Sequence, residues 1–177
     1  RYGLDPYFVA AIIREESQFR SDALSPAGAR GVMQVMPATG EWIARMSGIR
    51  DFDRAKLYDA EMNITLGTWY LSYLMKRFKN DLYLVSAAYN AGPEVVATWA
   101  GAGRGTADRD MFVEGIPYRE TRGYVKKVLR NFAEYRRIYD RTDLAAPLPL
   151  SGPANQAGGG ARTGGDVRLC GFPGRCP

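Results

Sequence analysis

The sequence predicts an all-α protein, with a compact helical domain over residues 1–140 and an extended tail over residues 141–177. Apolar residues recur at spacings of three, four and seven through most of the first 140 positions, which is the period of amphipathic helices. Alternation of apolar and polar residues never persists beyond about five positions, so strands are not expected. After Asp143 the composition shifts to proline, glycine, alanine and serine, and such a stretch cannot bury enough apolar surface to fold alone.

Two helices are predicted in the first third of the chain. Asp5 and Pro6 form a helix start, because an aspartate side chain caps the helix and proline fits its first position. Loop-forming residues follow Arg20, so the first helix is expected to end near that residue. The second helix is expected to start at about Pro37 and to end at Gly48, since glycine commonly follows the last helical residue.

The remaining 1–140 region contains the patterns of four further helices, two of them long and amphipathic. Aspartate caps and glycine or proline stops give their approximate bounds. The first runs from Asp59 as cap to about Phe78, the second from Asp81 as cap to about Gly92, the third is short and passes through Val95 and Trp99, and the last runs from about Arg119 through Tyr139.

The composition excludes several kinds of chemistry. The chain has no histidine, which removes Ser-His-Asp and Cys-His catalysis and most zinc sites. Its two cysteines, Cys170 and Cys176, lie in the tail. They are compatible with a local disulfide in an oxidising compartment or with two free thiols. No cofactor or metal is therefore expected.

The net charge of +5 favours contact with anionic material. No nucleic-acid motif accompanies it, and the basic group from Lys126 to Arg141 is interpreted as a solvated helix face. The chain has no apolar run of the length that spans a bilayer, so no transmembrane segment is expected. It begins at Arg1 without methionine or an apolar leader, and we interpret it as a processed or excised piece of a longer chain.

Glu16 is the candidate catalytic group. Without histidine, acid/base chemistry falls to carboxyl, tyrosine or lysine side chains. At about 100° per residue, Glu16 lies about 20° from the centre of the apolar face of the first helix, whereas Glu15 lies about 80° away. Burial without a cationic partner raises the pKa of a carboxyl, and a protonated carboxylic acid can donate a proton to a glycosidic oxygen. A surface or capping glutamate is the alternative interpretation.

Four short blocks of residues occur in order along the first 140 positions. The first block consists of Glu16-Ser17, Phe19, Ala23, Ser25-Pro26, Gly28-Ala29, Gly31, Met33-Gln34 and Met36 to Thr39. The others consist of Asn63-Ile64, Leu66-Gly67 and Tyr70-Leu71; of Ala87 to Pro93; and of Glu114, Ile116 to Tyr118, Glu120 to Arg122 and Tyr124-Val125. Together these blocks resemble the soluble lytic transglycosylase family, which has a goose-type-lysozyme-like fold. The one small departure is Val32, where the family usually has leucine.

The resemblance implies that Glu16 is the single catalytic acid/base and that other matched positions line a glycan-binding groove. Those positions are Ser25, Gln34, Met36, Tyr89, Asn90 and Glu114. Tyr89 is expected to orient Glu16, and Glu114 is expected to hold a sugar. Structural alternatives stay open for five of them, namely turn formation for Ser25, core packing for Met36, a core aromatic for Tyr89, a helix end for Asn90 and an ion pair with an arginine for Glu114. Met33 is expected to be core.

The implied activity is non-hydrolytic cleavage of the bond between N-acetylmuramic acid and N-acetylglucosamine, which leaves 1,6-anhydromuramoyl ends. The alternatives are a hydrolytic muramidase on the same fold and a non-catalytic glycan-binding or assembly module. The expected partner is the peptidoglycan glycan strand, with an upstream helical domain or a secretion machine as further partners, and no nucleic acid. The implied location is the periplasm or cell envelope, for a secreted protein.

Overall fold

The computed structural model describes residues 2–101 and 108–140. Their secondary structure is helical apart from isolated bridges that pair Leu24 with Arg30 and Arg30 with Val35, so the all-α prediction is confirmed for this part of the chain. The predicted tail, with its two cysteines, lies outside the described residues. The helices are α1 (Pro6–Ser17), α2 (Pro37–Ser47), a 3-10 helix (Arg54–Tyr58), α3 (Ala60–Arg77), α4 (Leu82–Ala91), α5 (Pro93–Gly101), α6 (Arg109–Glu114) and α7 (Arg119–Tyr139).

Aspartate caps set the starts of three helices where the sequence predicts them. The side chains of Asp5, Asp59 and Asp81 each accept hydrogen bonds from backbone N–H groups two or three residues later, at distances of 2.7 to 3.3 Å. The first N–H groups of a helix have no partner within it, so these carboxylates satisfy them. The predicted starts of α1, α3 and α4 are therefore confirmed.

The end of α1 and two short helices differ from the prediction. Helix α1 ends at Ser17 rather than near Arg20, because Gln18 and Phe19 take positive φ angles of 54° and 66°. Left-handed residues cannot continue a right-handed helix. The sequence pattern does not predict the 3-10 helix or α6, since each is too short to repeat an apolar face.

Helices α1 and α7 pack antiparallel. The Tyr124 hydroxyl contacts the Glu16 carboxyl at one end of the pair, and the ring of Tyr139 stacks on that of Tyr7 at 6.1 Å near the other end. The C-terminal end of α1 therefore meets the first half of α7. The large side chains that are fully buried in the core are Phe8, Ile12, Met33, Ile43, Leu57, Leu66, Leu71, Leu74, Val85, Val96, Phe112 and Ile116.

Helices in the described ranges do not combine the length and the apolar character that crossing a lipid bilayer requires.

Candidate active site

The loop that joins α1 to α2 is fixed by a buried amide. Asn63 of α3 is fully buried, and its Oδ1 accepts the N–H of Met33 at 2.7 Å. Its Nδ2 donates to the carbonyl oxygens of Arg30 at 2.8 Å and Leu57 at 2.7 Å. Gly31 has a φ of +75°, and a Cβ there would lie 2.1 Å from the Leu57 carbonyl oxygen. The loop thus lies against backbone, in a conformation that favours glycine.

Glu16 lies half-buried in the last turn of α1 and faces α7. The Tyr124 hydroxyl donates a hydrogen bond to its Oε1 at 2.8 Å. A phenol can donate to a carboxylate or to the carbonyl oxygen of a protonated carboxyl. The geometry of this hydrogen bond is therefore compatible with either protonation state of Glu16.

Glu15 has different partners from its neighbour. The Nδ2 of Asn131 donates to its Oε1 at 2.7 Å, and the Nζ of Lys127 lies 3.9 Å from its Oε2. The Glu15 side chain is only 15% exposed. Glu15 is thus contacted by an amide and an ammonium, whereas Glu16 is contacted by a phenol, so the two adjacent glutamates lie in different environments.

The loop and α4 are joined to the end of α1 by hydrogen bonds. Ser17, which follows Glu16, donates its hydroxyl to the carbonyl oxygen of Val32 at 2.7 Å. The Tyr89 hydroxyl of α4 donates to the next carbonyl oxygen, that of Met33, at 2.9 Å. Because these acceptors are consecutive, the loop holds Tyr89 close to the end of α1.

A buried pair of polar side chains joins α4 to α7. Thr121 donates its hydroxyl to the Oδ1 of Asn90 at 2.6 Å, and both residues are buried. Three residues later on α7, Tyr124 contacts Glu16. The end of α1, the α1–α2 loop, the end of α4 and the start of α7 therefore form one closed set of hydrogen-bonded elements, which we call the Glu16 site.

Three predicted groove residues lie on the α1–α2 loop. The Ser25 Oγ accepts the backbone N–H four residues later at 3.0 Å, as the turn alternative predicts. Gln34 is buried at a φ of +50°, and its Nε2 donates to two carbonyls of its own loop. Met36 is half-buried immediately before α2, and Met33 is fully buried, as expected of a core residue. Glycan contact by Ser25, Gln34 and Met36 stays a prediction.

Glu114 lies at the end of α6 with an exposed side chain, and its carboxylate pairs with Lys126 of α7. The hydrogen bond from Lys126 lowers the pKa of the Glu114 carboxyl. Lys126 and Tyr124 are two residues apart, so they project from α7 about 200° apart. The Glu114 carboxylate therefore lies on a different side of α7 from Glu16, and its predicted contact with a sugar remains to be tested.

Within residues 2–101 and 108–140, no three potential metal ligands lie close enough together to hold a metal ion. The carboxyls closest to the site, Glu15 and Glu16, contact amide, ammonium and phenol groups of α7. Acid/base chemistry by side chains is what this arrangement offers.

The family model described as the Transglycosylase SLT domain matches residues 1–112 of the 177-residue chain. The chain belongs to this family. A second family model, described as the soluble lytic transglycosylase helical domain, matches residues 115–143. The family predicted from the four sequence blocks is thus confirmed.

Relatives of this SLT domain include the soluble lytic murein transglycosylase of Salmonella typhimurium, which is 46% identical over 130 residues covering 73% of this chain and 20% of the relative. Among solved structures, an inactive mutant of the lytic transglycosylase Slt from Pseudomonas aeruginosa matches with a TM-score of 0.74 and 40% identity, over 78% of this chain and 22% of that one. The 70 kDa soluble lytic transglycosylase of Escherichia coli matches with a TM-score of 0.71 and 43% identity, over 76% and 22%. The chain thus spans about a fifth of the length of the first of these relatives.

Tyr124 is a residue of the Glu16 site that the sequence of this SLT domain did not indicate as functional. The sequence favours Tyr89 as the hydroxyl that orients Glu16, yet the Tyr89 hydroxyl donates to the Met33 carbonyl and Tyr124 donates to Glu16. The orienting role of Tyr89 stays a prediction. Tyr124 lies on the buried face of α7, and a buried tyrosine hydroxyl usually has a partner. Helical periodicity therefore marks Tyr124 as a buried tyrosine whose hydroxyl needs a partner, but it does not identify Glu16 as that partner.

Proposed function

We propose that this chain is the catalytic domain of a lytic transglycosylase that cleaves peptidoglycan between N-acetylmuramic acid and N-acetylglucosamine. The observation that carries the proposal is a half-buried Glu16, bonded to Tyr124 and placed among the end of α1, the loop and α4 in a member of the SLT family. Relatives named lytic murein transglycosylases, 46% identical over 130 residues, support it. The proposed location is the cell envelope.

In the first step, protonated Glu16 gives its proton to the oxygen that links the two sugars, and the bond from that oxygen to C1 of the muramoyl sugar breaks. Positive charge develops at C1 as the oxygen leaves. The acetamido group of the same sugar can stabilise this charge, which is the substrate-assisted exception to the use of two carboxylates. Glu16 ends this step as a carboxylate.

In the second step, the C6 hydroxyl of the muramoyl sugar attacks its own C1. The hydroxyl proton passes to the Glu16 carboxylate, which restores the starting acid. One carbon–oxygen bond has formed and one has broken, so the products are a 1,6-anhydromuramoyl end and a free N-acetylglucosamine hydroxyl, and no water is consumed. A single group acts first as acid and then as base.

Substrate contacts are proposed for the residues that surround Glu16. Asn90 has its Oδ1 bonded to Thr121, which leaves its amide nitrogen as a donor for a sugar oxygen. Met36 and Tyr89, both half-buried, can cover the apolar face of a sugar ring. We assign Ser25, Gln34 and Glu114 a supporting part in glycan binding, and peptidoglycan strands are the proposed partner.

Product analysis tests the proposal. Digestion of purified sacculi with the chain is expected to release fragments that carry 1,6-anhydromuramic acid, each lighter by one water than the hydrolysis product. Mass spectrometry of the soluble fragments measures this difference. Reducing muramic ends would show a hydrolytic muramidase instead. Binding to sacculi without release of fragments would show a non-catalytic glycan-binding module.

Tyr124→Phe is expected to lower kcat on peptidoglycan strands about tenfold, with KM changed less than about twofold. The hydroxyl donates to Glu16, so its loss frees the carboxyl to rotate and removes a donor that stabilises the carboxylate. Tyr124 acts through Glu16 and is thus a positioning residue. The measurement is steady-state kinetics across pH: because Glu16 must be protonated to begin the reaction, loss of a donor to its carboxylate should move the alkaline limb of the kcat profile to higher pH.

Tyr83→Phe is the matched control. This half-buried tyrosine of α4 makes no hydroxyl hydrogen bond within the described part of the chain, so its kinetics should equal those of the wild type. A Tyr124→Phe enzyme with an unchanged kcat and an unchanged pH profile contradicts the positioning role.

A further inference from the structure

An aromatic groove lies between α1 and the second half of α7. It encloses about 590 Å³. Four of its six lining residues are aromatic, and one is charged. The lining residues are Tyr7, Ala10, Arg14, Phe19, Tyr135 and Tyr139. We call this surface the aromatic groove.

The rings of the groove pack on one another and still face solvent. The Tyr139 ring stacks on Tyr7 at 6.1 Å between centroids and lies 6.3 Å from the Tyr135 ring. The Tyr135 side chain forms a hydrogen bond with Arg14. Phe19 is 53% exposed and Tyr139 is 61% exposed. Adjoining apolar side chains that stay in water on a folded protein mark an interaction surface.

The groove has the length of a short extended peptide. Tyr7 and Tyr139 meet at one end, and Phe19 lies at the other, just beyond the last residue of α1, Ser17. An α-helix rises about 1.5 Å per residue, so Tyr7 and Ser17 are about 15 Å apart along α1. A polyproline II chain rises about 3.1 Å per residue, so about six or seven residues span the groove.

The chain leaves α7 at this groove. Tyr139, the last residue of α7, lines the groove, and the described residues end at Asp140. Residues 144–150 have the sequence Leu-Ala-Ala-Pro-Leu-Pro-Leu, without a charged side chain. A β-turn takes four residues, so residues 140–143 suffice to send this stretch back along α1. The family models match no residue beyond 143, and family membership therefore assigns the stretch no role.

The chemistry of the groove suits this stretch. Pro147 and Pro149 favour polyproline II, a conformation without internal hydrogen bonds. Grooves lined by aromatic rings bind such chains, because the conformation is already formed and loses little entropy on binding. The Arg14 guanidinium has five N–H donors, so those that do not serve Tyr135 can donate to carbonyl oxygens of an extended backbone.

We propose that residues 144–150 of this chain occupy the aromatic groove, with Leu144 next to Tyr139 and Leu150 next to Phe19. A segment joined by so short a linker is present at an effective concentration of about a millimolar. A second copy of the chain has no such advantage at micromolar concentrations, which favours the chain's own segment as the occupant. Occupancy joins the end of α7 to the loop that follows Glu16.

Nuclear Overhauser effects in the full chain test the contact directly. In a sample with isotope-labelled leucine methyls and aromatic rings, the methyls of Leu150 are expected to give cross-peaks to the Phe19 ring, and those of Leu144 to the Tyr139 ring. Leu169, in the same tail, is the matched control and should give no cross-peaks to these rings. Absence of cross-peaks from Leu144 and Leu150 overturns the proposal.

The double variant Leu148→Asp, Leu150→Asp is expected to lower the Tm of the full chain by about 3 °C or more, because a carboxylate cannot pack on the rings. The double variant Val167→Asp, Leu169→Asp is the matched control, with the same charges at the same spacing further along the tail, and its Tm should equal that of the wild type. An equal loss in the control would attribute the effect to charge on the tail and contradict the proposal.

A double-mutant cycle connects the segment to the groove. In a Phe19→Ala background, the change of Leu148 and Leu150 to aspartate is expected to lower the Tm by less than about half as much as in the wild-type background, because the ring that they meet is gone. Phe19 is exposed, so its own substitution leaves the core intact. Equal losses in both backgrounds would show that the segment does not contact this ring.

Mixed samples separate the chain's own segment from a second copy. Labelled and unlabelled chains are combined, and isotope filtering distinguishes cross-peaks within one chain from those between chains. Cross-peaks within one chain, at concentrations where sedimentation shows a monomer, support the proposal. Cross-peaks that arise only between chains would show that the groove binds the tail of a second copy, and the proposal as stated would be wrong.

Discussion

Glu16→Gln is expected to lower kcat on peptidoglycan strands at least about a hundredfold, because the amide has no proton to donate to the leaving oxygen. Glutamine keeps the size of the side chain and an oxygen that can accept the Tyr124 hydroxyl, which donates to Glu16 at 2.8 Å. The fold and glycan binding should therefore persist. The measurement is turnover of sacculi with thermal unfolding and strand binding on the same samples.

Glu61→Gln is the matched control for that variant. Glu61 lies exposed in the first turn of α3, and the same loss of one carboxylate there should leave turnover at the wild-type value. Turnover close to wild type in Glu16→Gln would remove Glu16 from the mechanism. A wild-type chain that binds strands but has no turnover would instead indicate the non-catalytic module.

The predictable part of the fold is the part set by local chemistry. Asp5, Asp59 and Asp81 cap helices through N–H groups two or three residues away, and such a contact can be recognised in a short stretch of sequence. The position of Glu16 near the apolar face of α1 also follows from helical periodicity. The structure accordingly places Glu16 half-buried against α7.

The site itself depends on contacts between residues far apart in the chain. Tyr124 is 108 residues from Glu16, and Tyr89 is 56 residues from the Met33 carbonyl that it contacts. Periodicity shows that these tyrosines face the core, but it does not show which acceptor each one meets. The assignment of an orienting hydroxyl could not be made from the sequence for this reason.

Loop geometry is the other feature that the sequence pattern does not predict. The resemblance includes Gly31 and Asn63 among its matched positions, without a physical role for either. The structure supplies the role, because Gly31 approaches the Leu57 carbonyl and Asn63 bonds both to that carbonyl and to the loop. The loop next to Glu16 is thus built from α3, and its shape depends on an amide that lies in the core.

Asn63→Ala is expected to destabilise the domain by at least about 3 kcal/mol, because three hydrogen bonds are lost and buried polar groups remain without these partners. The Met33 N–H loses the Asn63 Oδ1, and the carbonyls of Arg30 and Leu57 lose the Nδ2. Thermal unfolding should shift down by roughly 10 °C for a domain of this size. Urea unfolding followed by circular dichroism measures the free energy directly.

Asn131→Ala is the matched control. It removes an amide that makes one hydrogen bond, so comparing its free energy of unfolding with that of Asn63→Ala separates the loss of the buried network from the loss of a single amide. Asn131 is half-buried and donates one hydrogen bond, to Glu15, so Asn131→Ala should cost no more than about 1 kcal/mol. Asn63→Asp provides a further check, because it keeps the size of the side chain and the acceptor for Met33 but places an oxygen against two carbonyls, and it should also be strongly destabilising. If both Asn63 variants unfold within about 1 kcal/mol of the wild type, the loop beside Glu16 does not depend on this amide, and another contact must hold it.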